Sequence, residues 1–509
     1  MKINKSVSKR IGSSVLALLA VFSLATCAKN PVTGKRDFVL MSEEQEVKMG
    51  QQADPEVKKE YGTYDRAALQ SYVSELGQRL AGQSHRSKLK YEFTVVDSAD
   101  INAFALPGGY IYVTRGILAY LNSEAEVAGV LGHEIGHVTA RHGVQQQSMA
   151  QAANLGVLLG AVLVPGLRNE SALGMMQQLS VAWIRGYGRE DELEADRLGA
   201  EYLARAGYDP QAMIKVVGVL KNQELFDAEL AKQEGREPRK YHGVFESHPD
   251  NDTRLKQVIE AAKQYKTGPT RGENQEAFLR VMNGVTFGDS PQQGITRGTR
   301  FFHEGMGLAL KFPDGWKVQN SADRVAGISP TGDAIVELHA LPAEQKGSPA
   351  DTVKGLLKLD KISSVNSLNV NGLPATVITG AQKEIPVRAA HINLKGVPYL
   401  VMGYGKSADI YQKNLSKIDG AIQSFHALTG AERAEAKPYE IRTISAKPGM
   451  TFAELAKSNP QLGRNAEQQL RLMNGKYPGG EPQAGELIKV IQTTSGGISA
   501  GLTFDRPGG

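Results

Sequence analysis

The chain has 509 residues, of which 41% are hydrophobic and 22% charged, so it is long enough for several globular domains and too apolar to be disordered. Four cations, Lys2, Lys5, Lys9 and Arg10, stand at its start, and without them the formal net charge of +5 falls by four to +1. No basic cluster interleaved with aromatic residues remains in the rest of the chain. These features exclude nucleic acid as an expected partner.

The first 26 residues are typical of a secretory signal, because a basic start precedes an apolar run from 11 to 24 and then small residues. The run is too short for a membrane span. Cys27, the single cysteine, follows in LATC and resembles the acylated cysteine of bacterial lipoproteins. The alternative is a free thiol with no disulfide to make. With Ala28 next, the resemblance implies an outer-membrane lipoprotein on the periplasmic face of a Gram-negative envelope.

A tether is expected over 27–50, within which Ser42 and Gln45 form a capping box that predicts the start of the first helix. Further helical patterning follows, and YEFTVVDS then alternates as a strand does. INAFALPGGYIYVT predicts two strands joined by a turn at 107–109. Strands therefore lead directly into the next helix.

The stretch GVLGHEIGHVTARHG carries the clearest chemical signal. His133 and His137 are four residues apart, so on a helix their imidazoles share one face and can meet one metal ion. Catalytic zinc takes three protein ligands and leaves a position for water. Glu134 lies beside the first histidine but off the ligand face, where it can act as general base and acid. The alternative is an ordinary amphipathic helix with a coincidental spacing.

The ends and the glycines of this helix also carry information. Ser123 and Glu126 form a capping box at its start, and Gly143 predicts a left-handed cap at its end. Glycine inside a helix costs about 1 kcal/mol relative to alanine. Three such residues, at 129, 132 and 136, therefore predict that another helix packs very close to this one.

The third ligand is expected in GREDELEADRLGAEYL. Glu192 and Asp196 stand four residues apart on one helix face, so one carboxylate can bind the metal while the second accepts the free N–H of a ligating histidine. The alternative is a solvated acidic helix start that favours the macrodipole.

HEIGH followed by ELEAD resembles family 48 of the metallopeptidases, a group of zincins, over about residues 28–260. The segments NPVTGKRDFVLMSEEQE, NAFALPGGYIYVTRGIL and SHPDNDTR are similar to other parts of that family. The resemblance implies a protease domain, placed at 51–264, with one Zn²⁺ per chain. It assigns the metal to His133, His137 and Glu192, general acid and base chemistry to Glu134, and the orientation of a histidine to Asp196.

SHPDNDTR adds His248 and Arg254, which the resemblance places near the metal. Both are candidates to stabilise a tetrahedral oxyanion, and His248 is also a candidate inhibitory cap. Taken alone, a histidine before proline favours a capping or surface role.

Two further features of the expected protease domain have alternative interpretations. Peptide substrates of zincins bind as an added strand, so the backbone of the NAFA segment is a candidate substrate edge, and a plain core hairpin is the alternative. The residues of that edge are Asn102, Ala103, Phe104 and Ala105. The apolar segment 149–183 reads as a buried or lid helix or as a membrane contact.

The second half of the chain predicts a linker over 265–299, an α/β accessory domain over 300–428 and a small strand–helix–helix–strand module over 437–493. The accessory domain weakly resembles domains of the PsbP and Mog type, which implies binding. The last module resembles a divergent LysM module, which implies peptidoglycan binding, and a purely structural domain is the alternative. The fold class is α+β, with a mainly helical zincin-type domain and a small sheet followed by these two modules.

Together these observations predict a zinc-dependent endopeptidase of the bacterial envelope that acts on misfolded or unassembled envelope proteins. Its expected partners are protein or peptide substrates and, through Cys27, a membrane, with peptidoglycan or outer-membrane assembly machinery as further candidates. The alternative is a proteolytically latent envelope chaperone or scaffold, in which His248 caps the zinc.

Overall fold

The computed structural model describes residues 27–163, 187–234, 238, 254, 257–258, 260, 263–264, 271–321, 324–344 and 347–493. These residues form two compact units. The first contains the described parts of 1–58, 63–283 and 442–490, and the second those of 59–62, 284–441 and 491–509.

The first unit is mainly helical, as predicted. Its helices up to residue 283 are α1 Glu43–Tyr61, α2 Ala67–Ala81, α3 Arg115–Leu118, α4 Glu124–Ala140, α5 His142–Leu163, α6 Arg189–Arg205, α7 Ala212–Glu234 and α8 Gln275–Met282. Its strands are β1 Cys27–Lys29, β2 Arg36–Phe38, β3 Glu92–Val96, β4 Ala103–Leu106 and β5 Tyr110–Thr114. Within the described ranges, no helix is both long and apolar enough to cross a membrane.

The predicted tether over 27–50 contains more structure than its composition suggested. β1 and β2 pair as an antiparallel ribbon, and α1 begins at Glu43. The predicted capping box is present, because Gln45 N donates to Ser42 Oγ (3.2 Å) while Ser42 N donates to Gln45 Oε1 (2.9 Å). Residues 27–50 are therefore ordered in part by hydrogen bonds within the segment itself.

The three-stranded sheet has the order β3-β5-β4, with β3 parallel and β4 antiparallel to β5. The predicted turn at 107–109 joins β4 to β5. Gly108 and Gly109 have φ angles of 83° and 95°, a region in which side chains are strained, so glycine suits both positions. β5 leads through α3 to α4, which is called the metal helix below.

The metal helix begins as predicted but ends differently. Glu126 N donates to Ser123 Oγ (3.2 Å), and the Glu126 carboxylate accepts from the backbone N of Asn122 (2.7 Å). The left-handed cap is Arg141, with φ 63°, and Gly143 lies inside α5, so the predicted cap position was wrong. The Arg141 side chain is held by Glu46 (2.9 Å), which helps a non-glycine residue keep this conformation.

The second unit is rich in strands and contains two sheets. A seven-stranded sheet has the order β10-β11-β12-β16-β15-β14-β13, and a four-stranded sheet has the order β17-β9-β8-β7. Its strands are β6 Thr286–Phe287, β7 Ile295–Arg297, β8 Arg300–His303, β9 Leu308–Lys311, β10 Lys317–Asn320, β11 Val325–Ile328, β12 Ala334–Ala340, β13 Lys361–Val370, β14 Leu373–Gln382, β15 Ile385–Leu394, β16 Val397–Gly405 and β17 His426–Ala427. Its helices are α9 Pro349–Leu357, α10 Ala408–Ser424 and α11 Gly430–Glu435.

The main core of this unit contains Phe312, Trp316 and Val401 from the strand-rich part and Ile418 and Phe425 from α10 and its end. The predicted linker over 265–299 is partly regular, because it contains α8, β6 and β7. The mixed strand and helix content predicted for 300–428 is present.

The last segment shows the predicted strand–helix–helix–strand order. It consists of β18 Tyr439–Ser445, α12 Phe452–Lys457, a 3₁₀ turn Pro460–Asn465, α13 Ala466–Met473 and β19 Leu487–Thr493. β18 and β19 are hydrogen-bonded neighbours, and Phe452, Leu470 and Ile488 share a small core. Residues 442–490 belong to the first compact unit, together with the metal helix.

Candidate metal centre

The metal helix and α6 approach each other at their small residues. A Cβ added to Gly136 would lie 2.9 Å from Ala195 O, and one added to Gly132 would lie 3.3 Å from the backbone of Gly199. Real side chains rarely tolerate such contacts, so the helix pair depends on glycine at these positions. The predicted close packing is confirmed for Gly132 and Gly136, whereas Gly129 faces Val216 of α7.

This packing brings the three predicted ligands together. His133 Nε2 and His137 Nε2 are 3.0 Å apart, and they lie 3.5 Å and 3.3 Å from the Glu192 carboxylate oxygens. Ligand atoms about 2.0–2.1 Å from one tetrahedral ion are about 3.3 Å from one another, so the three side chains fit a single metal ion. No other group of His, Cys, Asp or Glu among the described residues converges in this way.

A second layer of charge surrounds the ligands. His133 Nδ1 lies 2.8 Å from Asp196 Oδ1, as the spacing of Glu192 and Asp196 predicted. Arg254 donates to both oxygens of Asp196 (2.8 and 2.7 Å) and lies 3.2 Å from Glu192 Oε2. One buried guanidinium thus offsets the charge of two buried carboxylates. Without it, burial of these two carboxylates would be costly.

These contacts set the protonation of the site. Burial alone would raise the pKa of Asp196, but the charge and hydrogen bonds of Arg254, with a bond from His133, lower it to about 2. Burial alone would lower the pKa of His133, but hydrogen bonds to Asp196 and Glu192 raise it to about 9. For His137 burial wins over the bond to Glu192, and its pKa falls well below the usual value. A metal ion must therefore displace a proton from His133, whereas His137 already offers a lone pair.

Comparison with known proteins agrees with this geometry. Residues 67–262, which hold both helices of the site, match Peptidase family M48. We call this segment the M48 domain, after the family that it matches. The match includes the metal helix and α6, and it confirms the family resemblance on which the sequence prediction rested.

Two of the curated proteins that the chain is similar to are named as peptidases. The chain is 31% identical over 219 residues to the Beta-barrel assembly-enhancing protease of Yersinia pestis, covering 42% of this chain and 43% of the relative. It is 33% identical over 192 residues to the Mitochondrial metalloendopeptidase OMA1 of Schizosaccharomyces pombe, covering 36% of this chain and 54% of the relative. The chain thus spans about half the length of these relatives.

Among solved structures, the cyanobacterial PsbP protein from Synechocystis sp. PCC 6803 matches 26% of this chain and 95% of its own. The identity is 14% and the TM-score 0.21, which is too low to support a fold assignment. The resemblance to PsbP stays a prediction.

The M48 domain contains two site residues that sequence reasoning missed. Tyr187 stacks on the His137 ring at 3.9 Å between centroids and 18° between planes. Burial and the nearby charges of Glu134 and Glu192 raise the pKa of Tyr187, so its phenol stays protonated. RGYGRE has no spacing that would have revealed this contact.

His142 is the other missed residue. It begins α5, and its Nδ1 lies 2.9 Å from Nδ1 of His137, while its Nε2 lies 3.3 Å from Glu194 Oε2. Its partner could not be predicted, because the contact depends on the left-handed residue Arg141.

The remaining predicted residues have different outcomes. Arg254 lies at the site, bonded to two carboxylates, while His248 lies outside the described residues. Glu134 is buried in the metal helix. Burial alone would lower the pKa of Arg254, but Asp196 and Glu192 raise it, and the charge of Glu134 adds to their effect.

The candidate substrate edge at 103–105 lies in β4, and Asn102 directly precedes that strand. Ala105, Leu106 and His137 line one small cavity beside Tyr187. The predicted edge therefore lies next to a metal ligand.

Proposed function

We propose that this protein is a zinc-dependent endopeptidase of the Gram-negative cell envelope, acting in quality control of misfolded or unassembled envelope proteins. The observation that carries the proposal is the convergence of His133, His137 and Glu192 beside Glu134. Two histidines and a glutamate are a donor set typical of catalytic zinc.

A zinc ion bound there would polarise the scissile carbonyl and make water a stronger nucleophile at neutral pH. Glu134 follows the first ligand in sequence and is buried, so its carboxylate can take a proton from the attacking water and return it to the leaving amine. Arg254 holds Glu192 and Asp196 in place, which favours a positioning role for it over direct contact with an oxyanion. His248 remains the candidate for that contact or for an inhibitory cap.

Substrate binding is proposed at the β4 edge. An extended peptide there would form backbone hydrogen bonds near residues 102–105, with its side chains beside the cavity at His137. Such binding reads the backbone more than the side chains, which suits substrates recognised because they are unfolded.

The envelope location rests on the N-terminal signal and Cys27, and on the bacterial relative, which is named a beta-barrel assembly-enhancing protease. We therefore infer a lipid anchor at Cys27 and substrates that include unassembled β-barrel proteins. Outer-membrane assembly machinery and, through the LysM-like segment, peptidoglycan are proposed partners.

The experiment that tests the function compares the mature full-length protein with Glu134→Gln and His248→Ala. Zinc content is measured by atomic spectroscopy and endopeptidase activity with casein. We expect one zinc per chain in all three proteins and a loss of at least about 100-fold in the rate of Glu134→Gln, because its proton acceptor is gone.

Glu190→Gln is the matched control, since Glu190 is exposed on the same helix as the third ligand and should cleave as the wild type does. Hydrolysis by Glu134→Gln at the wild-type rate would overturn the catalytic assignment. If the wild type is inert and His248→Ala cleaves, the endopeptidase is latent and His248 is its cap.

A further inference from the structure

We propose that His142 is a positioning residue of the metal centre, which connects the ligand His137 to Glu194 and so fixes the nitrogen that His137 presents to the metal. The inference rests on the proposed metal site, but it concerns residues outside the ligand set. It adds a third imidazole, from outside the ligand set, to the two of the proposed metal site.

The distances place the two rings in a chain. The Nε2 atom of His137 faces the other ligands, at 3.0 Å from His133 Nε2 and 3.3 Å from Glu192 Oε1. On the far side of the ring, Nδ1 of His137 is 2.9 Å from Nδ1 of His142. His142 continues through its Nε2 to Glu194 Oε2 at 3.3 Å, and Asp191 Oδ1 is 3.7 Å away.

When a metal ion is bound to Nε2 of His137, only one arrangement of protons satisfies the hydrogen bonds from His137 through His142 to Glu194. A ligating nitrogen carries no proton, so the proton of neutral His137 must sit on Nδ1, which then donates to His142. The Nδ1 atom of His142 accepts, so its own proton sits on Nε2 and is donated to the carboxylate of Glu194. Every nitrogen of the two rings then has a partner.

The break between α4 and α5 makes this contact possible. On an unbroken helix, a residue five positions after His137 would lie about 140° around the axis and could not face it. Arg141 adopts the left-handed conformation, and its side chain is held by Glu46 (2.9 Å) and by Met41 O (3.2 Å). The chain therefore turns back and places His142 against the ring of His137.

The two ligand histidines are consequently supported in different ways. His133 reaches a carboxylate directly, since its Nδ1 is 2.8 Å from Asp196. His137 reaches one through His142, which is 1% exposed, while the side chain of Glu194 is 27% exposed. His137 is thereby connected, through the buried ring of His142, to the partly exposed carboxylate of Glu194.

The test measures Zn²⁺ affinity by competition with a chromophoric chelator, and the visible spectrum of the Co²⁺ form, in the mature full-length protein. His142→Leu removes the acceptor, and we expect Zn²⁺ affinity to fall by roughly 10–100-fold, as loss of an outer hydrogen-bond partner does elsewhere. His142→Asn keeps an acceptor oxygen near the Nδ1 position, so it should recover most of the affinity and the wild-type Co²⁺ spectrum.

Two further variants serve as controls. His339→Leu, in β12 of the second unit, removes a histidine paired with Glu337 and should leave metal affinity unchanged. His142→Gln places its oxygen near the Nε2 position instead, so it should bind metal more weakly than His142→Asn. This pair decides the matter if His142→Leu fails to fold.

Wild-type affinity in a folded His142→Leu protein, or equal affinities of the Asn and Gln variants, would overturn the role of His142 while leaving the metal site intact. Absence of metal binding by the wild type would instead overturn the proposed metal site, and the role of His142 with it.

Discussion

The two ends of the metal helix are held by different chemistry. At its C-terminal end, His133 and His137 meet carboxylates and a guanidinium from α6 and from Arg254. At its N-terminal end, Lys489 from the last segment of the unit donates to the carbonyls of Ala119 (2.7 Å) and Leu121 (2.5 Å). The first end is built to receive an ion, whereas the second uses a resident cation to fix the loop that leads into the helix.

At the N-terminal end of the metal helix, the burial of Lys489 is by itself unfavourable for stability. Lys489 is fully buried, and burial lowers its pKa to about 7 against the opposing charge of Glu126. Burial also raises the pKa of Glu126, whose carboxylate receives the Asn122 backbone N–H. A buried lysine is retained at such a position when it satisfies carbonyl groups that would otherwise be left without a donor.

Other contacts join the last segment to the same body. Tyr477 meets the Phe226 ring edge-on at 6.0 Å, and its hydroxyl donates to Glu229 at 3.1 Å. Gln469 donates to the hydroxyl of Tyr120, next to the carbonyls that Lys489 holds. The comparison of the two ends shows that the metal helix is positioned in part by a segment that contributes no residue to the candidate metal centre.

The largest expected effect is at the metal end. Glu192→Gln removes a ligand charge, and we expect metal affinity to fall by more than the roughly 100-fold that loss of an outer partner can cost. Chelator competition measures this. Glu190→Gln should match the wild type, because Glu190 is exposed and is not one of the three proposed ligands. Equal affinities for Glu192→Gln and the wild type would remove the contrast between the two ends.

The next effect is at the other end. Lys489→Met leaves the Ala119 and Leu121 carbonyls without their donor, and we expect the free energy of unfolding to fall by about 2–4 kcal/mol. Urea unfolding of the mature protein measures it. Lys457→Met is the control, because Lys457 is exposed on α12 and should change stability by less than about 0.5 kcal/mol.

The free energy of unfolding of Lys489→Met should also depend on pH differently from that of the wild type. Because the folded pKa of Lys489 is about 7 and the usual value is 10.5, the unfolded chain binds more protons between these pH values. The burial cost is thus fully present below pH 7, and stability rises as pH increases toward 10.5. The slope of unfolding free energy against pH between 7 and 9 should be more positive in the wild type than in Lys489→Met. Identical slopes would show that Lys489 is not buried as described.

The smallest effect concerns the packing between the two helices of the site. Gly136→Ala forces a Cβ to 2.9 Å from Ala195 O, and we expect a loss of about 1–3 kcal/mol in unfolding free energy together with weaker metal binding. Gly218→Ala in α7 meets nothing within 4 Å and should stabilise by up to about 1 kcal/mol. Thermal and urea unfolding compare them. A stabilising Gly136→Ala would show that the helices are not in close contact.

The sequence predicted the metal end well because its information is local. Two histidines one turn apart, and a glutamate and an aspartate one turn apart, place their side chains by helix geometry alone, and the glycines predicted where the helices meet. The ends of β4 and β5 and the capping boxes follow from turn and cap chemistry in the same way.

The contacts that could not be predicted all depend on tertiary structure. Lys489 is 370 residues from Ala119, and no pattern around it distinguishes it from an exposed lysine. Tyr187 and His142 reach His137 only because of a loop and a left-handed residue. The last segment was predicted as a separate module from its strand and helix order, which gave no sign that it would share a compact unit with the M48 domain.

The position of Lys489 near residue 490 also means that it is synthesised long after the metal helix that it supports. At about 5–20 residues per second, synthesis of the metal helix is complete roughly 17–70 s before the lysine that fixes the helix start is made. During that interval the ligands of the nascent chain exist without their support at the N-terminal end. A metal centre that is assembled in this order has its full structural support only after residue 489 has been synthesised.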